Sequence, residues 1–165
     1  MRIPKKKNSK TTPYIIVIGT SAGGLQALVK LTSQLAADFP APVLAVQHIS
    51  QDATGKVLLE TLQQNSSLSC VHAETGMVLR AGYIYLAPPD QHLMVDQHEI
   101  VVAKGAHENR SRPAIDPLFR SAAVAFGNRV IGILLTGYLD DGTVGLKVIQ
   151  DCGGTVIVQD PADAE

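Results

Sequence analysis

Only two cysteines, Cys70 and Cys152, occur in the 165 residues, and their spacing fits neither a metal site nor a disulfide framework. The expectation is a reducing cytoplasm with both thiols buried. Long apolar runs are missing too. The first one, Tyr14–Ile18, is far shorter than the ~7–15 residues of a signal-peptide core, and nothing is long enough to span a bilayer, so membrane insertion is excluded. A basic surplus is missing from most of the chain: Arg2, Lys5, Lys6, Lys7 and Lys10 precede Pro13, and the remainder carries 9 basic against 15 acidic residues. That balance argues against a nucleic-acid partner for the folded part. The segment 1–13 reads as a solvated, disordered leader. No internal repeat, low-complexity tract or second domain interrupts residues 14–165.

What is present is the material of one core. Hydrophobic residues make up 45% of the chain and charged residues 18%, and a chain of this length buries roughly 70% of its unfolded surface. The β-branched run from Tyr14 to Ile18 ends at Gly19, and from Gly24 onward Leu25, Leu28, Val29, Leu31 and Leu35 recur with helical spacing. Val43–Gln47 repeats the strand, and Lys56–Gln64 the helix, with Val57, Leu58 and Leu62 turned inward. Two such units in succession predict a parallel sheet with right-handed crossovers. The runs Ser69–Ala73, Tyr83–Ala87, His92–Val95 and Glu99–Ala103, separated by Gly82, Pro88, Pro89 and Asp96, read as a small antiparallel insertion. Beyond the polar loop Asn109–Pro117 come a helix over Leu118–Phe126, a strand over Val130–Leu135, a helix over Gly142–Gln150 and a strand over Thr155–Val158, with Pro117 in the first turn of the first helix.

The turn GTSAGG, Gly19 to Gly24, admits three readings. Glycines at a helix N-terminus suit a phosphate. Here, however, their spacing is G-x-x-x-G-G, no acidic residue closes the second strand, and the Gly-Lys-Ser/Thr of a phosphate-binding loop is absent. Gly19-Thr20-Ser21-Ala22-Gly23 also matches the G-x-S-x-G elbow that exposes a nucleophilic serine. A tight turn with a serine N-cap would look the same.

A serine alcohol needs a base, and the base needs an acid to hold its tautomer. His48 alone among the five histidines closes a predicted core strand. His72, His92, His98 and His107 fall in the insertion or in loops and read as structural or solvent-facing. The strand Val130–Leu135 is followed by Asp140 and Asp141, either of which can supply a carboxylate or cap the next helix. The chain order Ser, His, Asp is not that of the common α/β-hydrolases, whose acid precedes the histidine.

Six separated segments carry a resemblance: IGTSAGG, VQHIS, GYIYLAPPDQHLMV, SRPAIDPLFRSAA, LTGYLDDGTVG and GGTVIVQDP. From about Tyr14 to the end the chain resembles the catalytic domain of the chemotaxis protein-glutamate methylesterase (CheB) family. The resemblance implies an α/β fold with a doubly wound, mostly parallel, Rossmann-like sheet and a small antiparallel hairpin. It further implies a cytoplasmic, bacterial, cofactor-free and metal-free hydrolase. Such an enzyme removes methyl esters from glutamates of methylated chemoreceptors or similar proteins, releasing methanol, with glutamine deamidation as the related activity. Ser21 matches the nucleophile, His48 the base, and Asp141 the acid, because it directly precedes the glycine of the family's Leu-Thr-Gly-Met-Gly-x-Asp-Gly pattern; Asp140 falls at the variable position. The backbone N–H groups of Ala22 and Tyr138 match the oxyanion hole.

Two departures stand out. Tyr138-Leu139 replaces Met-Gly beside the acid, which points to altered substrate choice or, alternatively, to a weakened binding or regulatory module of the same fold. The family domain also normally continues for about another helix and strand, and no receiver domain precedes residue 14, so a truncated domain without phosphorylation control in cis is expected.

Overall fold

The computed structural model describes residues 14–50, 54–97, 99–138 and 140–164. The expected leader 1–13, His98 and Leu139 therefore lie outside the described residues, whereas Asp140 is exposed and its backbone carbonyl accepts from Thr143 N–H at 3.0 Å. In chain order the elements are β1 (Ile15–Thr20), α1 (Gly24–Thr32), β2 (Val43–Gln47), α2 (Lys56–Asn65), β3 (Ser69–His72), β4 (Tyr83–Leu86), β5 (His92–Val95), β6 (Ile100–Ala103), α3 (Ile115–Phe126), β7 (Val130–Leu134), α4 (Thr143–Asp151) and β8 (Thr155–Val158).

Six strands form one parallel sheet in the order β3-β4-β2-β1-β7-β8, and β5 and β6 form a separate antiparallel hairpin. β1 sits inside this sheet, and Ile15, Ile16, Val17 and Ile18 are all buried, which is why its sequence is a continuous apolar run and not an alternating one. The two faces have separate cores. Ile15 and Val17 meet Leu118, Phe119 and Ala122 of α3 and Ile149 of α4. Ile16 and Ile18 meet Leu28 of α1 and Leu58 and Leu62 of α2. Helices therefore cover both faces, and the sheet is doubly wound.

The expected antiparallel insertion is half right. β5 and β6 pair antiparallel, but β3 and β4 belong to the main parallel sheet, with Ile84 opposite Val43 and Cys70 opposite Ile84. Short apolar runs carry no information about strand direction. The connection from β3 to β4 contains no helix that would have marked a crossover, yet it places Ile84 and Leu86 fully inside. Val57 is 71% exposed and not turned inward, because α2 presents Leu58 and Leu62 to the sheet. Cys70 is buried as expected, but Cys152, at the C-terminal cap of α4, is exposed.

The helix α3 begins at Ile115, two residues before Pro117, so the missing proline N–H falls among first-turn donors that no helical carbonyl would accept. Its start lies directly over the end of β1: a Cβ on Gly19 would overlap the Ile115 side chain. Glycine at position 19 thus lets the N-terminus of α3 approach the carboxyl edge of the sheet.

Candidate active site

At that edge β1 delivers Ser21, β2 delivers His48, and the loop after β7 delivers Asp141. Ser21 is held by its own backbone. Its N–H donates to the Thr136 carbonyl at 3.0 Å, and its carbonyl accepts from Gly24 N–H at 2.9 Å. Gln47, the last residue of β2, donates through Nε2 to the carbonyls of Ser21 (2.8 Å) and His48 (2.9 Å), clamping the two segments together. The alternative reading of Ser21 as a helix N-cap does not hold: the N-cap of α1 is Gly23, with no side-chain cap, which leaves the Ser21 hydroxyl for other work.

That hydroxyl lies 3.0 Å from His48 Nδ1, and His48 Nε2 lies 2.7 Å from Asp141 Oδ2. An ionised carboxylate only accepts, so Nε2 carries the proton and Nδ1 offers its lone pair to the serine. The ring is used in the opposite sense to the common serine-protease triad, in which Nδ1 faces the acid.

Asp141 is 7% exposed and does not cap its own helix, since the N-cap of α4 is Gly142 with no side-chain cap. It caps α3 instead. Oδ2 accepts from Ile115 N–H at 2.7 Å, and Oδ1 from Asp116 N–H at 3.1 Å and from Asn109 Nδ2 at 2.7 Å. Burial pushes its proton affinity up, but the hydrogen bonds from His48, Ile115 N–H, Asn109 and Asp116 N–H outweigh it and hold the carboxyl below its ordinary range. The positive end of α3 favours the charge as well.

Gly137 runs against Ser21, with a Cβ at that position only 2.5 Å from Ser21 Cβ. Next to it Tyr138 lines the cleft over Ser21 and is 66% exposed. Among the described residues, neither Ala22 N–H nor Tyr138 N–H donates to a backbone carbonyl. The cleft itself is small, about 30 Å³, the share of liquid volume of one water.

Ser21, His48 and Asp141 are thus brought together. His92 is structural: its Nδ1 accepts from Ala114 N–H and its Nε2 donates to the Ala106 carbonyl. His72 ends β3, and burial lowers its pKa. Sequence reasoning missed Gln47, Asn109 and Asp116. Gln47 and Asp116 lie inside the VQHIS and SRPAIDP segments but carried no role there, and Asn109 was read only as loop. Among the described residues, no group of three or more His, Cys, Asp or Glu is placed to hold a metal ion, and no helix is long and apolar enough to cross a membrane.

Comparison with known proteins gives a consistent result. The family model for CheB methylesterase matches residues 16–165. The chain is 41% identical over 148 residues to a protein-glutamate methylesterase/protein-glutamine glutaminase of Anaeromyxobacter dehalogenans, covering 90% of this chain and 43% of that protein. It is 38% identical over 160 residues to one of Pseudomonas savastanoi pv. phaseolicola, covering 96% of this chain and 40% of that protein. The chain therefore spans about two fifths of these two relatives. The crystal structure of the Thermotoga maritima CheB methylesterase catalytic domain superposes with a TM-score of 0.85 at 35% identity, covering 92% of this chain and 82% of that one.

Proposed function

The chain belongs to the CheB methylesterase family, and on that premise we propose that it is a serine hydrolase that removes γ-methyl esters from glutamates of a methylated protein of the chemoreceptor class. The observation that carries this reading is the hydrogen-bonded series Ser21–His48–Asp141, at 3.0 and 2.7 Å. The names of its relatives support the ester and glutamine chemistries.

His48 Nδ1 takes the Ser21 proton as Oγ attacks the ester carbonyl, and Asp141 stabilises the imidazolium that forms. The N–H groups of Ala22 and Tyr138 receive the oxyanion, an interaction typically worth about 3–4 kcal/mol of barrier per donor. The imidazolium then returns its proton to the departing methoxide, giving methanol and an acyl-enzyme. Water, deprotonated by His48, releases the glutamate carboxylate. With a glutamine side chain the same steps release ammonia.

The size of the cleft favours a protein substrate. Small-molecule sites usually enclose roughly 300–1,000 Å³, whereas about 30 Å³ here admits only the reacting end of a side chain projecting from a larger surface.

The test is methanol release from a methyl-labelled chemoreceptor, compared between the wild type and Ser21→Ala. The expected result is release by the wild type and a loss of at least about 10³-fold in the variant. Equal release from both overturns the serine mechanism, and binding of the receptor without release by either makes the chain a binding module of the same fold.

A further inference from the structure

Behind the Asp141 carboxylate lies a second buried acid. Asp116, 3% exposed in the first turn of α3, accepts from Gly145 N–H at 2.6 Å through Oδ1, which ties α3 to the start of α4. Its other oxygen, Oδ2, accepts from Asn109 Nδ2 at 2.8 Å. The same nitrogen donates to Asp141 Oδ1 at 2.7 Å. One amide group thus directs each of its two protons at a different buried carboxylate and holds the pair within its own span. Apart from His48, Asn109 provides the side-chain donor to Asp141; the remaining donors are the backbone N–H groups of Ile115 and Asp116.

The loop is built to present that amide. Glu108 and Ser111 exchange backbone hydrogen bonds at 3.2 and 2.8 Å around Asn109 and Arg110, which have φ of 49° and 64°. Asparagine is among the few residues that adopt this region readily. Glu108 is anchored to Arg120 of α3 at 2.6 Å, and Arg112 donates to Asp90 and to the Gly105 carbonyl, each at 2.7 Å. Ala114 at the far end of the loop is held by His92. A side chain anchored from both flanks has little freedom to leave its two acceptors.

We propose that Asn109 is a positioning residue for the His48–Asp141 pair: its amide fixes the plane of the Asp141 carboxylate, so that Oδ2 faces His48, and it offsets the repulsion between Asp141 and Asp116. This rests on the hydrolase reading given above. The groups that face the pair are Asp116 from α3, Ser21 after β1 and the amide of Asn109. Among the described residues, no lysine or arginine forms an ion pair with Asp141. Without the amide, Oδ1 keeps one partner and the two carboxylates face each other directly. A less stabilised Asp141 holds the His48 Nε2 proton more strongly, which favours the imidazolium and keeps the base blocked to a higher pH.

The test uses Asn109→Gly, which suits the positive φ and removes only the amide, and Asn109→Asp, which keeps the shape and replaces the donor with a third acid. Measured on a methylated receptor, Asn109→Gly should lose about tenfold or more in kcat, the size of one lost hydrogen bond to a charged group, with KM within about twofold. The acid limb of its pH–rate profile should move to higher pH, and that of Asn109→Asp further in the same direction. A variant with wild-type kcat and an unmoved acid limb, whatever its melting temperature, overturns the proposal and leaves Asn109 a loop brace. The downfield proton resonance of the His48–Asp141 hydrogen bond gives a readout that needs no turnover. It should shift or vanish in both variants, and an unchanged resonance overturns the proposal. If the wild type shows no Ser21-dependent hydrolysis, the hydrolase reading fails, while this resonance still decides the role of Asn109.

Discussion

Replacing Asp141 by asparagine tests the site where its geometry is most demanding. Four donors converge on the carboxylate, two on each oxygen: His48 Nε2 and Ile115 N–H on Oδ2, and Asn109 Nδ2 and Asp116 N–H on Oδ1. An amide offers one acceptor and one donor group: one orientation sets its NH₂ against Asn109 Nδ2 and Asp116 N–H, and the other sets it against Ile115 N–H while His48 changes tautomer to accept from it. Flipping the Asn109 amide gives no relief, because it would turn the Asn109 oxygen toward the Asp116 carboxylate that its nitrogen now serves. One buried donor, Ile115 N–H, loses its acceptor when His48 changes tautomer, and two lose theirs in the other orientation, at about 1–3 kcal/mol each. Even one such loss is a sizeable part of the roughly 5–15 kcal/mol typical of a domain. Urea denaturation at pH 7 should show this loss, and ester hydrolysis should fall by roughly 10³–10⁴-fold as His48 loses its tautomer. The deficit should also depend on pH. Because the Asp141 carboxyl in the folded protein lies below its ordinary value of 3.8, its stabilising effect is fully present above that value and is lost as pH falls through the lower, folded one. The gap between wild type and variant should therefore narrow only in strong acid. A variant within about 1 kcal/mol of wild type at pH 7, or a gap that stays constant through acid titration, would refute the reasoning.

Two further outcomes follow from single contacts. Gly137→Ala places a methyl group 2.5 Å from Ser21 Cβ, so turnover should drop by more than about tenfold through displacement of the nucleophile; hydrolysis at the wild-type rate would show that the loop yields freely. For the thiols, burial raises the Cys70 pKa to about 11, whereas Cys152 is exposed. A thiol reagent at pH 8 should label Cys152 in the native protein and Cys70 only after unfolding. Prompt labelling of both would contradict the burial of Cys70 in the core beneath α1 and α2.

The candidate site was legible to the extent that its parts are local. The serine turn announces itself because a β-branched run, a glycine turn and a 3.6-residue periodicity follow one another within a few residues, and the same pattern places His48 at the end of β2. The support of the site is not local. Asn109 reaches an acid 32 positions further along the chain, and Asp116 reaches Gly145, 29 positions on. In the sequence both are polar residues in or beside a proline-containing loop, without periodicity. The choice between capping and catalysis at Asp141 was likewise open in the sequence, and it resolves in an unexpected way, since Asp141 caps the N-terminus of α3, an element that precedes it.

From the order of residues alone come the βα units, the buried character of β1, the hairpin of β5 and β6, and the sequence of Ser21, His48 and Asp141 at strand ends. These depend on side-chain period and turn chemistry, which act within a dozen residues. Tertiary structure decided that β3 and β4 join the parallel sheet, that Val57 and Cys152 face outward, which nitrogen of His48 faces the serine, and that α3 is clamped against β1 with Asn109 bridging two carboxylates. Those outcomes depend on which surfaces meet after the chain has closed on itself, and pairing partners dozens of residues apart leave no periodic trace in the sequence.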